Sequence, residues 1–124
     1  MRPSQILVVD DSRDAADSLA LLLSLEGHRV RVAHDGPRAL EIVATERPEV
    51  MLFDIGLPGM DGYELCRRAR KLGRADAFII AMTGYGQERD RARSSEAGFD
   101  THTVKPVLPA DLITLLASHT PSSH

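Results

Sequence analysis

Four short runs of this chain end on residues that an apolar strand has no use for. Ile6-Leu7-Val8-Val9 leads into Asp10-Asp11, and Val50-Met51-Leu52-Phe53 into Asp54. Ala77-Phe78-Ile79-Ile80-Ala81-Met82 leads into Thr83, and Thr103-Val104 into Lys105-Pro106. In an open parallel sheet the carboxyl ends of the strands gather along one edge, where ligands bind. If these runs are neighbouring parallel strands, three carboxylates, a hydroxyl and an ammonium converge on one spot. Carboxylates so crowded repel unless a cation sits among them. A hard divalent ion with oxygen ligands resolves the repulsion most simply, and Mg²⁺ suits an open site with few carboxylates.

The elements that must position these groups follow from periodicity and punctuation. A strand is expected over 5–9, then a helix over 13–26 capped by Ser12, with Ala16, Leu19, Leu22 and Leu23 at helical spacing and Gly27 as its left-handed end. The second strand, 29–33, alternates Val30 and Val32 with Arg29 and Arg31, the pattern of a less buried outer strand. Asp35-Gly36-Pro37 opens a second helix with an apolar stripe of Ala39, Leu40, Ile42 and Val43, and Pro48 closes the connection to a strand over 50–53. A long loop, 57–62, precedes a third helix over 62–72, capped by Asp61 and ended by Gly73. A strand over 77–82, a helix over 87–97, a strand over 102–104 and a helix from Pro109 to about 118 complete the order, with 119–124 a frayed tail.

Strands alternating with helices give an α/β fold, a parallel sheet with helices on both faces. Right-handed crossovers leave few topologies, and the flavodoxin-like order 2-1-3-4-5 is the best choice. At 124 residues the chain is one domain, 1–124, long enough to bury a core. The hydrophobic fraction of 43% and charged fraction of 27% fit a soluble globular protein. A formal charge of -3 argues against nucleic-acid binding by the domain itself. No apolar run approaches a membrane span, so no membrane insertion is expected. The lone Cys66 can form no internal disulfide, which suits a reducing cytosol, and its place on the third helix suits a small apolar filler. The histidines at 28, 34, 102, 119 and 124 show no metal-ligand spacing.

Taken together, the motifs resemble the receiver domain of two-component response regulators. The matching stretches are Ile6-Leu7-Val8-Val9-Asp10-Asp11-Ser12, the run from Asp54 to Gly62, Met82-Thr83-Gly84 and Val104-Lys105-Pro106, in the family's order and at its spacing. The resemblance implies a cytoplasmic phosphorelay switch. Asp54 would accept a phosphoryl group from the phosphohistidine of a histidine kinase or phosphotransfer domain, forming an acyl phosphate. Asp10, Asp11, Asp54 and the backbone carbonyl of Gly56 would hold Mg²⁺, although Asp11 also reads as a cap for the first helix. Lys105 would steady the charge of the transferring group, with a cis Lys105-Pro106 bond re-aiming the chain. Thr83 would hydrogen-bond a phosphoryl oxygen after transfer, and Gly84 would leave room for the donor.

The surface made by the fourth helix, fifth strand and fifth helix would then meet a downstream effector. The fourth helix has only Ala92 and Ala97 as apolar anchors, so it is either mobile or held by ion pairs. At 102, where the family usually has Tyr or Phe as a switch partner for the threonine, this chain has His102: a modified switch or a surface residue. Tyr85 is either a shield for the phosphoryl group or a rim residue. The competing reading is a metal-dependent small-molecule phosphatase or phosphotransferase of the aspartyl-phosphate type. Such enzymes usually carry a second acid where this chain has Gly56, and a cap sequence not seen here. A flavin site fits less well, with no Ser/Thr-rich phosphate loop after the first strand and only 4% aromatics. The sequence leaves open a stand-alone receiver or one fused to a hybrid kinase.

Overall fold

A computed structural model of the chain describes residues 4–84 and 91–118. The elements alternate as β1 Gln5–Val9, α1 Arg13–Leu25, β2 Arg29–Ala33, α2 Gly36–Glu46, β3 Val50–Asp54, α3 Gly62–Leu72, β4 Phe78–Thr83, α4 Arg91–Ala97, β5 Thr101–Val104 and α5 Pro109–Ser118. The strands form one parallel five-stranded sheet in the order β2-β1-β3-β4-β5. This is the doubly wound, flavodoxin-like architecture expected from the sequence.

Side chains of successive strand residues point to opposite faces, and the core divides accordingly. Leu7, Val9, Met51, Phe53, Ile79 and Ala81 pack with residues of α2, α3 and α4. Ile6, Val8, Val50, Leu52, Ile80 and Met82 pack with residues of α1 and α5. Strands β1 and β3 are therefore apolar on both faces, as inner parallel strands must be, and β2 at the sheet edge keeps its arginines in solvent. Burial of one such side chain is worth about 1.5–3 kcal/mol, which fixes the strand register and, with it, the ends of the strands.

The helix punctuation follows from local chemistry. Ser12, Asp35 and Asp61 each accept a hydrogen bond from the backbone N–H three residues on, satisfying amides the helix itself cannot pair. Ser12 is thus the α1 cap, and Asp11 is freed from that role. Gly27, at φ +94, turns the chain out of α1.

Several boundaries differ from expectation. Asp54 and Thr83 are the last residues of β3 and β4, where the sequence had put them just beyond, because the neighbouring strands continue the ladder through them. Strand β5 starts at Thr101, drawn in by pairing with Ile80. Helix α1 stops at Leu25, since the Gly27 amide tightens back to the Ser24 oxygen at 3.0 Å and Gly27 takes a positive φ. The expected helix start at 87 and the tail 119–124 lie outside the described residues.

Candidate functional site

The pairing of β1 with β3 places Val9 opposite Phe53, so Asp10 and Asp54 emerge side by side at the sheet edge. Carboxylate oxygens of Asp10, Asp11 and Asp54 lie within 4.8 Å of one another. Asp10 and Asp54 are 2% and 6% exposed, whereas Asp11 faces solvent. Buried acids need partners, and each has them. The Ser12 amide donates to Asp10 Oδ1 at 2.9 Å and the Gly56 amide to Asp54 Oδ1 at 2.9 Å. Lys105 arrives from the end of β5, with Nζ 3.0 Å from Asp10 Oδ2 and 3.2 Å from Asp54 Oδ2. The Lys105-Pro106 bond is cis, as the resemblance implied.

Burial pushes the Asp54 carboxyl upward, and the Asp10 charge adds to that; the Gly56 amide and Lys105 pull it back without cancelling the rise. At Lys105, burial favours the neutral amine, but the hydrogen bond to Asp10 and the charges of Asp54 and Asp10 outweigh it and raise the ammonium above its usual value. The two shifts pull apart on the question of whether Lys105 and Asp54 form a full ion pair. Nζ is within ion-pair reach of both acids, so Asp10 and Asp54 share the one cation. The site is therefore undercompensated, two buried and one exposed carboxylate facing one ammonium. Three oxygen donors within one ion's reach suit a hard divalent cation.

Thr83 is buried, and its hydroxyl donates to the Thr103 backbone oxygen of β5 at 3.4 Å. The sheet edge brings Asp10, Asp11, Asp54 and Lys105 together as expected, while the Thr83 hydroxyl is turned toward β5. Gly84 closes the described part of this edge, and Tyr85 lies outside the described residues. Gly62 is packed where a Cβ would stand 2.5 Å from Ile55 Cα and 2.8 Å from the Asp54 backbone oxygen. No side chain fits there, and the Gly62 amide bonds the Ile55 oxygen at 3.2 Å. The start of α3 is thus pressed directly against the backbone that carries Asp54.

Helix α4 carries an ion pair, one of the two alternatives its sequence left open. Ala97 is buried but Ala92 is exposed. Arg93 instead reaches Asp61 at 3.0 Å and lies 4.2 Å from the centroid of the Tyr63 ring. Tyr63 in turn meets Phe99 edge-on at 6.1 Å, and Phe99 meets Phe53, the neighbour of Asp54, at 6.3 Å. His102 is half-buried on the sheet face of Thr83, since the register pairs it with Ala81. Burial pushes the Cys66 thiol up to about 12, so it is an apolar filler and no nucleophile at neutral pH.

Sequence reasoning missed His34. It follows the last residue of β2, and Nδ1 lies 3.0 Å from the Asp10 backbone oxygen. The signal was available: in the order 2-1-3, the residue after β2 must stand beside the residue after β1.

Comparison with known proteins fits this geometry. The model of the response regulator receiver domain matches residues 6–117. The chain belongs to that family. It is 38% identical over 109 residues to the response regulator MprA of Mycobacterium ulcerans, covering 88% of this chain and 47% of that one. The chain thus spans about half the length of the MprA regulators it matches. A CheY-like receiver domain protein from Methanospirillum hungatei JF-1 superposes with a TM-score of 0.86 at 36% identity, covering 94% of this chain and 93% of that one. The receiver domain of the sensor histidine kinase PA1611 from Pseudomonas aeruginosa PAO1 gives 0.84 at 28% identity, covering 95% and 98%. That structure has a magnesium ion coordinated in its active-site cleft. A receiver domain is a signalling module, so the small-molecule phosphatase alternative falls away. No helix among the described residues is long and apolar enough to cross a membrane.

Proposed function

We propose that this receiver is a phosphorylation-driven switch in which Asp54 accepts a phosphoryl group from the phosphohistidine of a histidine kinase or phosphotransfer domain. One observation carries the reading: Asp54 shares a single ammonium with Asp10 at the mouth of an acidic cluster. In the transfer, an Asp54 carboxylate oxygen bonds to phosphorus, the P–N bond breaks, and its electron pair returns to the imidazole of the donor. Asp10, Asp11, Asp54 and the Gly56 carbonyl would hold Mg²⁺. Bound there, the ion relieves carboxylate repulsion and offsets charge on the phosphoryl oxygens. Lys105 is aimed at the same charge. Gly84 beside Thr83 gives the donor access.

After transfer, Thr83 exchanges its long bond to Thr103 for one to a phosphoryl oxygen. That vacates space toward His102 and alters the surface of α4, β5 and α5, where an effector protein reads the state. The acidic balance of the domain points to a protein partner rather than nucleic acid. The test is reaction with acetyl phosphate and Mg²⁺ followed by peptide mass spectrometry. The label is expected on Asp54 and absent from Asp54→Ala; label that persists in that variant requires a different acceptor.

A further inference from the structure

We infer that His34 is a positioning residue for the acidic pair at the end of β1. The Asp10 backbone oxygen can only accept, so the 3.0 Å contact assigns the proton to His34 Nδ1. The reason for the contact lies in the ladder. The Asp10 amide makes a β1–β2 bond, to the Ala33 oxygen at 3.1 Å. In a continuing parallel ladder the Asp10 oxygen would next accept from a backbone amide of β2. But β2 ends at Ala33, and Asp35 is already in place as the cap of α2. The imidazole of the intervening residue supplies the missing donor.

The bond matters because of which peptide it holds. The Asp10 oxygen belongs to the peptide plane that joins Asp10 to Asp11. Asp10 is fixed independently, its carboxylate held by the Ser12 amide and Lys105. Asp11 is exposed, and its Cα leaves from the plane that His34 pins. With that bond gone the plane is free to rotate, and Asp11 is the acid whose carboxylate drifts from the cluster. Groups that orient ligands in this way typically cost 10- to 100-fold in metal affinity when removed. His34 acts through backbone, so the expected loss is at the lower end, about tenfold.

The inference rests on the metal-site reading above, and the experiment separates the two. Mg²⁺ is titrated into wild type, His34→Ala, His34→Asn and His34→Gln, followed by backbone amide shifts, with thermal melts of each metal-free protein. Asn places its amide nitrogen close to where Nδ1 stands, whereas Gln places it near Nε2. Wild type is expected to bind, His34→Ala to bind about tenfold more weakly with a nearly unchanged melt, and His34→Asn to recover most of the loss. Should His34→Ala fold poorly, the contrast between His34→Asn and His34→Gln carries the same test. Equal affinity in wild type and His34→Ala, or equally weak binding in the Asn and Gln variants, overturns the role of His34 while leaving the metal site standing. A wild type that binds no Mg²⁺ overturns both.

Discussion

Lys105 stands closer to Asp10, at 3.0 Å, than to the proposed phosphoacceptor Asp54, at 3.2 Å. One ammonium is therefore shared between two buried acids and fully neutralises neither. Asp54 is left buried with incomplete compensation, and its carboxyl is raised above 3.8. A folded state that raises a carboxyl binds the proton more tightly than the unfolded chain does. The associated stability is present below the ordinary carboxylate value and is lost as pH climbs through the raised one.

It follows that at neutral pH the ionised Asp54 destabilises the metal-free fold. Asp54→Asn removes that charge and keeps the shape. It should stabilise the metal-free protein by about 1 kcal/mol, a rise of roughly 4 °C in Tm for a domain of this size. Mg²⁺ should raise the Tm of wild type, because the native state alone assembles the donors, and should raise that of Asp54→Asn less. Thermal melts with Mg²⁺ and with a chelator measure both effects. A wild-type melt indifferent to Mg²⁺ together with a less stable Asp54→Asn would contradict the acidic-cluster account.

Removing the ammonium should act in the opposite sense. In Lys105→Ala, Asp10 and Asp54 keep their amide donors but lose their shared cation. Breaking a buried pair is costly, though Lys105 is 26% exposed and solvent screens part of the effect. A loss of about 1–2 kcal/mol is expected without metal, shrinking at saturating Mg²⁺. With Mg²⁺ present the variant should fold yet respond weakly to phosphorylation. An equal loss of stability with and without Mg²⁺ would show that Lys105 supports the fold by packing rather than by charge.

Much of this arrangement was legible in the sequence because the carboxyl ends of β1, β3, β4 and β5 are each marked by a change from apolar to polar residues. Burial of β1 and β3 on both faces sets their register, and the register alone brings Asp10 to Asp54. Three kinds of information were not legible. Contacts made by side chains across elements, such as Arg93 on Tyr63, depend on rotamers that no periodicity encodes. The direction of the Thr83 hydroxyl depends on a carbonyl of the next strand. For α4 the sequence left open a mobile helix or one held by ion pairs; the Arg93–Asp61 pair is of the second kind, but its partner on another element and the Tyr63 ring beside it could not be read.

The Arg93 contacts give a prediction for that helix. Its ion pair with Asp61 is half exposed and worth little alone, while the ring contact adds to it. Arg93→Ala should therefore cost about 1 kcal/mol by urea denaturation. The amide shifts of 91–97 should move more than those of β1 or β3. Arg93→Lys keeps the charge but not the planar group that lies on the ring, and should recover only part of the loss. If Arg93→Ala matches wild type in both stability and shifts, α4 is held by Ala97 and Phe99 without help.

His102 carries the last prediction, a switch that depends on pH. It shares the sheet face of Thr83 and lines an open pocket of about 240 Å³ with Ser94, Ser95, Phe99, Asp100 and Thr101. The Asp100 carboxylate in that wall is occupied by Arg70 at 2.8 Å and by the Ile79 amide at 2.8 Å. Thr83 gives up little on moving toward a phosphoryl oxygen, since its present bond is 3.4 Å long. The space it leaves lies on the β5 side. A neutral imidazole enters such space at low cost, and a charged one resists desolvation. The response should thus be larger at pH 8 than at pH 5.5. Amide shift changes in 91–118 on adding a phosphate mimic, recorded at pH 8 and at pH 5.5, measure it. His102→Phe should abolish the pH dependence and keep the response. If wild type responds equally at both pH values, the protonation of His102 plays no part in the response.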